Sequence, residues 1–403
     1  VSMIIRKLQL ADKALFYLLL GLVIAFITIA IPVQLNGNWV TLLWTAEAVL
    51  VFYIGRTQQR ASYEKLAIVL SILAFVSLLE DWSSHPAMDG DFEGSHPLIF
   101  NIRFLTGLLA AAGQAAIVYL HLRKKTTDTG PWRPPYLVFY DYLLPVVLLL
   151  TLYFLFLLEV LAYFKEIGLQ TFNQAFMEEI RAFQSSAVIL YTMLFLAVVC
   201  WVNERWIRNK TLGAGAVSLG VFVIAIFLLL GLPGLNDLSG FHLGKRQTYF
   251  GAGNIFIRYA MIAVAILLIV LGRRSIQLFG GERIYHVLHG VFMHVAVLAI
   301  ISYEYLNWMG LNSSVDEYKL GLSIVWSVYA LWLVVMGINK KKRHWRLTGI
   351  CFFIITLVKL FLYDLTQATT ISKTISFISL GAILLLVSYL YNRYKHVILA
   401  EDE

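Results

Sequence analysis

The sequence predicts an all-α integral membrane protein of about twelve transmembrane helices. Of its 403 residues, 60% are hydrophobic and only 14% are charged, and the mean hydropathy is +0.76. A soluble domain has roughly 45–50% apolar and about 25% charged residues. Apolar runs long enough to cross a bilayer recur along the whole chain, and basic residues collect in every second connection between them.

A hydrocarbon core of about 30 Å takes about 20 helical residues. Runs of that order lie near 14–32, 39–55, 66–82, 98–122, 137–163, 183–203, 212–232, 253–271, 284–303, 320–338, 346–363 and 374–392. Lipid cannot hydrogen-bond the backbone, so each run must satisfy its own N–H and C=O groups as a helix.

Orientation follows from the connections. With the N-terminus inside, the inner loops hold Arg56, Arg60 and Lys65, then Arg123 to Lys125, Arg205 to Lys210, Arg273 to Arg283, and Lys340 to Arg343. This is the positive-inside pattern, and it places both termini in the cytoplasm. The formal charge of +8 is therefore a topology signal. It fits an anionic inner leaflet, with membrane lipids as partners, and not nucleic acid. The connection from Glu80 to His96 is acidic and lacks Lys or Arg, as an outer loop can. Another outer connection, Glu166 to Gln184, repeats Phe172, Phe176 and Ile180 on one helical face. It reads as an amphipathic helix near 170–182, lying in the interface or packed on the outer rim.

Two segments resemble each other. Trp44 precedes Gly55 by the same distance as Trp326 precedes Gly337, a basic loop follows each, and Asp81 and Asp364 then close the next run. The spacing predicts parallel four-helix repeats: 1–125, a more diverged middle unit at 126–279 carrying the amphipathic helix, and 280–403. Each unit pairs an Asp ending one run with a cation opening the next: Asp81 with Arg103, Asp237 with Arg258, and Asp364 with Lys373.

Ionisable groups inside a membrane are costly and need a partner, a proton or water. Glu47 is the deepest, about 12 Å into its helix at 1.5 Å per residue. The candidate substrate-binding residues are Glu47, Asp81, Arg103, Asp237, Arg258, Lys359, Asp364 and Lys373. Either they line an outer-facing polar cavity, where the cations suit an anionic group, or they form salt bridges between helices.

Other constellations point to packing. His286, His289 and Met293 share a helical face but lack a companion ligand set, and Ser84 to Pro97 is a solvated acidic loop without calcium-loop spacing. Cys200 and Cys351 both lie in apolar runs. The sequence contains no nucleophile-elbow, phosphate-loop or zinc-protease motif, and it calls for no cofactor or metal.

Several strings resemble the bacterial multi-pass membrane proteins that carry the 2339 domain of unknown function. They are Ile31 to Trp39, Leu43 to Ala48, Asn101 to Gly107, Lys359 to Leu365 and Ile375 to Gly381. The resemblance implies a bacterial inner-membrane protein, often longer upstream, with no settled activity. The opening Val-Ser-Met is also what a piece of a longer chain would show. Where the family opens its last helix with Arg, this chain has Lys373. The leading expectation is binding and translocation, through that outer-facing cavity, of an anionic or amphipathic envelope solute such as a glycan or lipid-linked precursor. The alternatives are a non-catalytic scaffold subunit with membrane-protein partners, or an outer-leaflet glycosyl or acyl transferase.

Overall fold

The computed structural model describes residues 13–35, 37–88, 97–123, 135–171, 173–243, 248–279, 282–310 and 315–360, with scattered positions between 374 and 389. The regular structure among them is helical throughout. In order the helices are α1 (Lys13–Gln34), α2 (Asn38–Gln58), α3 (Ala61–Ser83), α4 (Ile102–Arg123), α5 (Leu144–Gln170), α6 (Gln174–Val202), α7 (Lys210–Ile226), α8 (Leu232–Leu243), α9 (Gly253–Phe279), α10 (Arg283–Gly310), α11 (Val315–Asn339) and α12 (Arg343–Lys359).

Nine helical segments among the described residues are long and apolar enough to cross a membrane. They match the predicted runs from 39–55 through 320–338. One of them, Lys210–Phe241, joins α7 and α8 and is longer than the run predicted at 212–232. A π-turn at Phe227–Gly231 links these two helices, and a second at Phe139–Leu143 leads into α5. Each ends two residues before a proline, Pro233 or Pro145. Proline has no N–H to give the preceding turn and its ring crowds that turn's carbonyl, so the helix widens locally. The predicted run at 374–392 lies almost wholly outside the described residues.

The separate amphipathic helix expected near 170–182 is not formed. α5 ends at Gln170, and α6 begins at Gln174 and continues unbroken to Val202. From Phe176 onward the apolar stripe is a packing face. Ile180 is buried, Phe176 meets Tyr249 edge-on at 6.1 Å, and Phe183 stacks on Phe250 at 4.1 Å. Glu179 is also buried.

The chain divides into two compact units, Val1–Thr171 and Phe172–Glu403. In the first, Ala48, Val51 and Phe52 of α2 pack on Ala67 and Leu70 of α3, with Ile117 of α4 and Tyr140 closing the core. In the second, α6, α7, α8 and α9 share a core around Met193, Phe227, Leu235 and Met261, with Ala296 of α10 joining it. Lipid tails are as apolar as these side chains, so close fit and buried polar bonds carry the helix contacts.

Both units contain the same hairpin. α2–α3 turns at Gln59 (φ 52°), whose successor Arg60 donates its N–H to the Gly55 carbonyl at 3.0 Å. α11–α12 turns at Lys341 (φ 53°), and Lys342 donates to the Gly337 carbonyl at 3.0 Å. In each, the glycine lets the second helix approach closely. A Cβ at Gly55 would lie 3.1 Å from the Glu64 nitrogen, and one at Gly337 2.8 Å from the Arg346 nitrogen. Trp44 and Trp326 each donate an indole N–H to the preceding helix, to the Thr28 carbonyl (3.1 Å) and Ser302 Oγ (2.7 Å). The sequence correspondence between Trp44–Gly55 and Trp326–Gly337 thus continues as backbone geometry.

Candidate functional site

The polar side chains of each unit separate into two levels. One level is the basic end, where the turn at Gln59 and the Arg123 end of α4 lie in the first unit, and the Arg208 and Lys341 turns in the second. The sequence-predicted candidates among the described residues lie toward the opposite ends of their helices.

In the first unit, Glu47 is half-buried and accepts a 3.0 Å hydrogen bond from Thr28 of α1. Asp81 is buried at the end of α3. Thr41 donates to its Oδ2 at 2.6 Å and also bonds Ser77 Oγ at 2.7 Å. Arg103, half-buried at the start of α4, lies within electrostatic range of Asp81. The structure therefore brings Asp81 and Arg103 to one locality and ties Glu47 to a different helix.

In the second unit, Arg258 is 2% exposed and spends its whole guanidinium on the protein. Nε donates to Glu304 Oε1 at 2.7 Å. Nη1 reaches Ser239 Oγ (3.0 Å), Asn236 Oδ1 (3.2 Å) and the Leu235 carbonyl (3.3 Å), and Nη2 reaches the Tyr303 carbonyl (3.4 Å). These bonds join α8, α9 and α10. The carboxylate opposite Arg258 is thus Glu304; Asp237 is exposed on α8. Lys359 donates to Ser323 at 2.9 Å and lies over the Trp326 ring at 5.9 Å. Asp364 and Lys373 lie outside the described residues.

Two further carboxylates at this level secure helix starts, where backbone N–H groups lack intrahelical partners. Glu159 of α5 accepts from the Ile99 N–H (3.0 Å) and Asn101 Nδ2 (2.8 Å) just ahead of α4, with His85 Nε2 at 3.4 Å. Glu179 of α6 accepts from the N–H groups of Tyr249 (2.8 Å) and Phe250 (3.1 Å) and from Asn254 Nδ2 (2.7 Å) at the start of α9. Neither Glu159 nor Glu179 was among the sequence-predicted site residues. Glu179 falls three residues after Phe176 and four before Phe183, and that place on the apolar face was the available signal.

The basic end of the first unit holds a polar chain that the sequence did not reveal. Arg56 Nε lies 3.4 Å from Glu64 Oε1, and Arg56 Nη2 meets His121 Nδ1. His121 Nε2 lies 2.9 Å from Asp141 Oδ1 in the π-turn. Tyr140 stacks on His121 with centroids 5.5 Å apart and donates to the Glu64 carbonyl at 2.5 Å. Arg56 and Glu64 are both buried. Four helical segments meet here, so no single stretch of sequence displays the cluster.

The His286, His289 and Met293 face divides its members. His286 is exposed, His289 is buried beside Gly272, and Met293 packs on the core of the second unit. Among the described residues no group of three or more His, Cys, Asp or Glu is placed to hold a metal.

A cavity of about 750 Å³ opens between α7, α9 and α10 at the basic end of the second unit. It is lined by Lys210, Glu282 and Tyr285 from the helix starts and, further along the helices, by Ser275, His289, Val217, Val221 and Phe292.

No curated protein and no solved structure matches the chain. The family profile of predicted membrane proteins with the 2339 domain of unknown function matches residues 3–394. Several apolar helices of spanning length, joined by buried polar contacts, accord with that description, and the chain belongs to the DUF2339 family of predicted membrane proteins.

Proposed function

We propose that this chain is a non-catalytic framework subunit of a bacterial inner-membrane complex, with both termini on the cytoplasmic side. The single observation that carries the reading is Arg258. A cation kept to meet a solute needs open donors, whereas every nitrogen of this guanidinium is bonded to α8 or α10. Glu159, Glu179 and Asp81 support it, because each is committed to a neighbouring segment. Charges used this way hold helices in register at the cost of desolvation.

The competing reading is translocation of an anionic or amphipathic envelope solute through an outer-facing cavity built from parallel repeats. The shared hairpin favours it, since repeats are a common transporter device. It requires Glu47, Asp81, Arg103 and Arg258 to act on solute. No observation favours a glycosyl or acyl transferase.

The test is extraction of the native protein from its own membrane in mild detergent, followed by native electrophoresis. A framework subunit migrates in a defined assembly well above the mass of its denatured chain, and Arg258→Met dissolves that assembly. Migration of the wild type as a lone chain overturns the reading. Loss of solute uptake in a Glu47→Gln variant with unchanged thermal stability supports translocation.

A further inference from the structure

We infer that the cavity between α7, α9 and α10 seats an amphiphile with an anionic phosphate head and an apolar tail, entered from the membrane face at the basic end. This site lies apart from Arg258 and does not depend on the framework reading.

The cavity has the size of a small-molecule site, for which about 300–1,000 Å³ is usual. Its lining is ordered along its length. Lys210, at the start of α7, marks the mouth, and Val221 of the same helix marks the depth. That stretch is about 16 Å at 1.5 Å per residue, roughly half of a bilayer's hydrocarbon core. The charged and phenolic groups Lys210, Glu282 and Tyr285 come from the helix starts at the basic end, and Val217, Val221 and Phe292 lie two to three turns further along α7 and α10, with Ser218 and His289 among them; this suits a molecule whose charge is at one end.

Charge selects the head. The lining itself holds one cation, Lys210, and one anion, Glu282; the adjoining segments add Arg205 and Arg208 before α7, Arg273 and Arg274 near the end of α9, and Arg283 at the start of α10. The opposing acids are Glu282 at the mouth and Glu204, which accepts the Ser275 hydroxyl at 2.9 Å. The excess is cationic, and Lys and Arg at a membrane surface draw anionic lipid heads. The shape comes from α7. Its cavity side carries Ala214, Val217 and Ser218, whose short side chains leave the space unfilled, while Phe279 of α9 covers Gly213. The opposite side carries the exposed Leu219 and Phe222.

The experiment uses the full chain in nanodiscs of phosphatidylcholine containing a trace of photoactivatable phosphatidic acid. Cross-linked peptides are mapped by mass spectrometry. The expected result is cross-linking to α7 and α10 lining residues at least tenfold above an equally loaded photoactivatable phosphatidylcholine. Ala214→Trp fills the cavity and abolishes it, Lys210→Glu lowers it several-fold, and Leu219→Trp, a bulky residue on the exposed side, leaves it unchanged. If Ala214→Trp fails to fold, Ser218→Phe takes its place. Displacement by excess phosphatidylglycerol assigns the site to a bulk phospholipid, and displacement by polyprenyl phosphate alone assigns it to a lipid-linked precursor. Equal labelling by both probes overturns the inference, as does labelling that survives the filled cavity or displacement by inorganic phosphate.

Discussion

The α2–α3 and α11–α12 hairpins share a backbone and differ in what they bury. Both turn through a left-handed residue, Gln59 or Lys341, and both place a glycine against the first turn of the returning helix. Their small polar residues also correspond. Thr45 and Ser327 each donate to the carbonyl one turn back, at Thr41 and Ser323. Thr41 bonds Ser77 across the first hairpin, and Ser323 bonds Lys359 at the equivalent place in the second. The charges then diverge. Glu64 packs its stem on Gly55 and faces Arg56, while Arg346 packs its stem on Gly337 and the place of Arg56 is taken by Ile338. The close backbone approach tolerates either sign of charge on the returning helix, so the hairpin is the constant part and its charges are the variable part.

The strongest way to break this comparison is Arg56→Met. In the first hairpin it leaves Glu64 buried without its cation, and stranding one partner of a buried pair costs about 3–5 kcal/mol. Thermal unfolding in detergent should show a large loss. The double change Arg56→Met with Glu64→Met should recover most of it, since an apolar pair of similar volume replaces the ions. Ile338→Met in the second hairpin should change stability little, and an equal loss there would refute the claim that the charge networks differ.

Smaller effects separate the two polar contacts. Thr41→Val removes the donor to a buried carboxylate, Asp81, and should cost about 1–3 kcal/mol. Ser323→Ala removes one acceptor from Lys359, which is only half-buried. Its long stem can carry the amine toward the rim, so the loss should be about 1 kcal/mol or less. The ratio of the two unfolding shifts is the measurement. Gly337→Ala and Gly55→Ala should both destabilise, by about 1–3 kcal/mol for an overpacked contact. Gly337→Ala should be the worse, because the Cβ there meets backbone at 2.8 Å against 3.1 Å.

Much of this architecture was legible because it depends on local pattern. The nine described spans follow from apolar length, and the hairpin correspondence followed from Trp44, Gly55, Trp326 and Gly337. Glu47, Asp81 and Arg258 were identified as groups needing partners, and each has one. The partners themselves were not legible. Asp237 was the nearest acid in sequence to Arg258, but it projects from the exposed side of α8, and Glu304 arrives from α10. Helix rotation decides which side chain enters a contact, and an apolar run does not encode that rotation. The same reason hid the chain from Arg56 to Asp141, whose members lie on α2, α3, α4 and a π-turn. At 170–182 periodicity left open whether the stripe lies on lipid or packs, because both read alike; Phe176 packs on Tyr249 and Ile180 is buried, within a helix that runs on to Val202.

The smallest effect tests the turn itself. Gln59 and Lys341 both have positive φ, where a side chain costs about 1–2 kcal/mol that glycine does not incur. Glycine also loses more conformational freedom on folding, which offsets part of that relief. Gln59→Gly and Lys341→Gly should therefore each stabilise by about 0.5–1 kcal/mol, read as a rise of a degree or two in the unfolding midpoint. Lys341 has a competing term: its charge sits near the C-terminus of α11, where a cation meets the negative end of the helix dipole. Gln59 is neutral. Gln59→Gly should thus gain more than Lys341→Gly, and high salt should narrow the gap between them. A gap that ignores salt would mean that the two turns differ in backbone strain and not in charge.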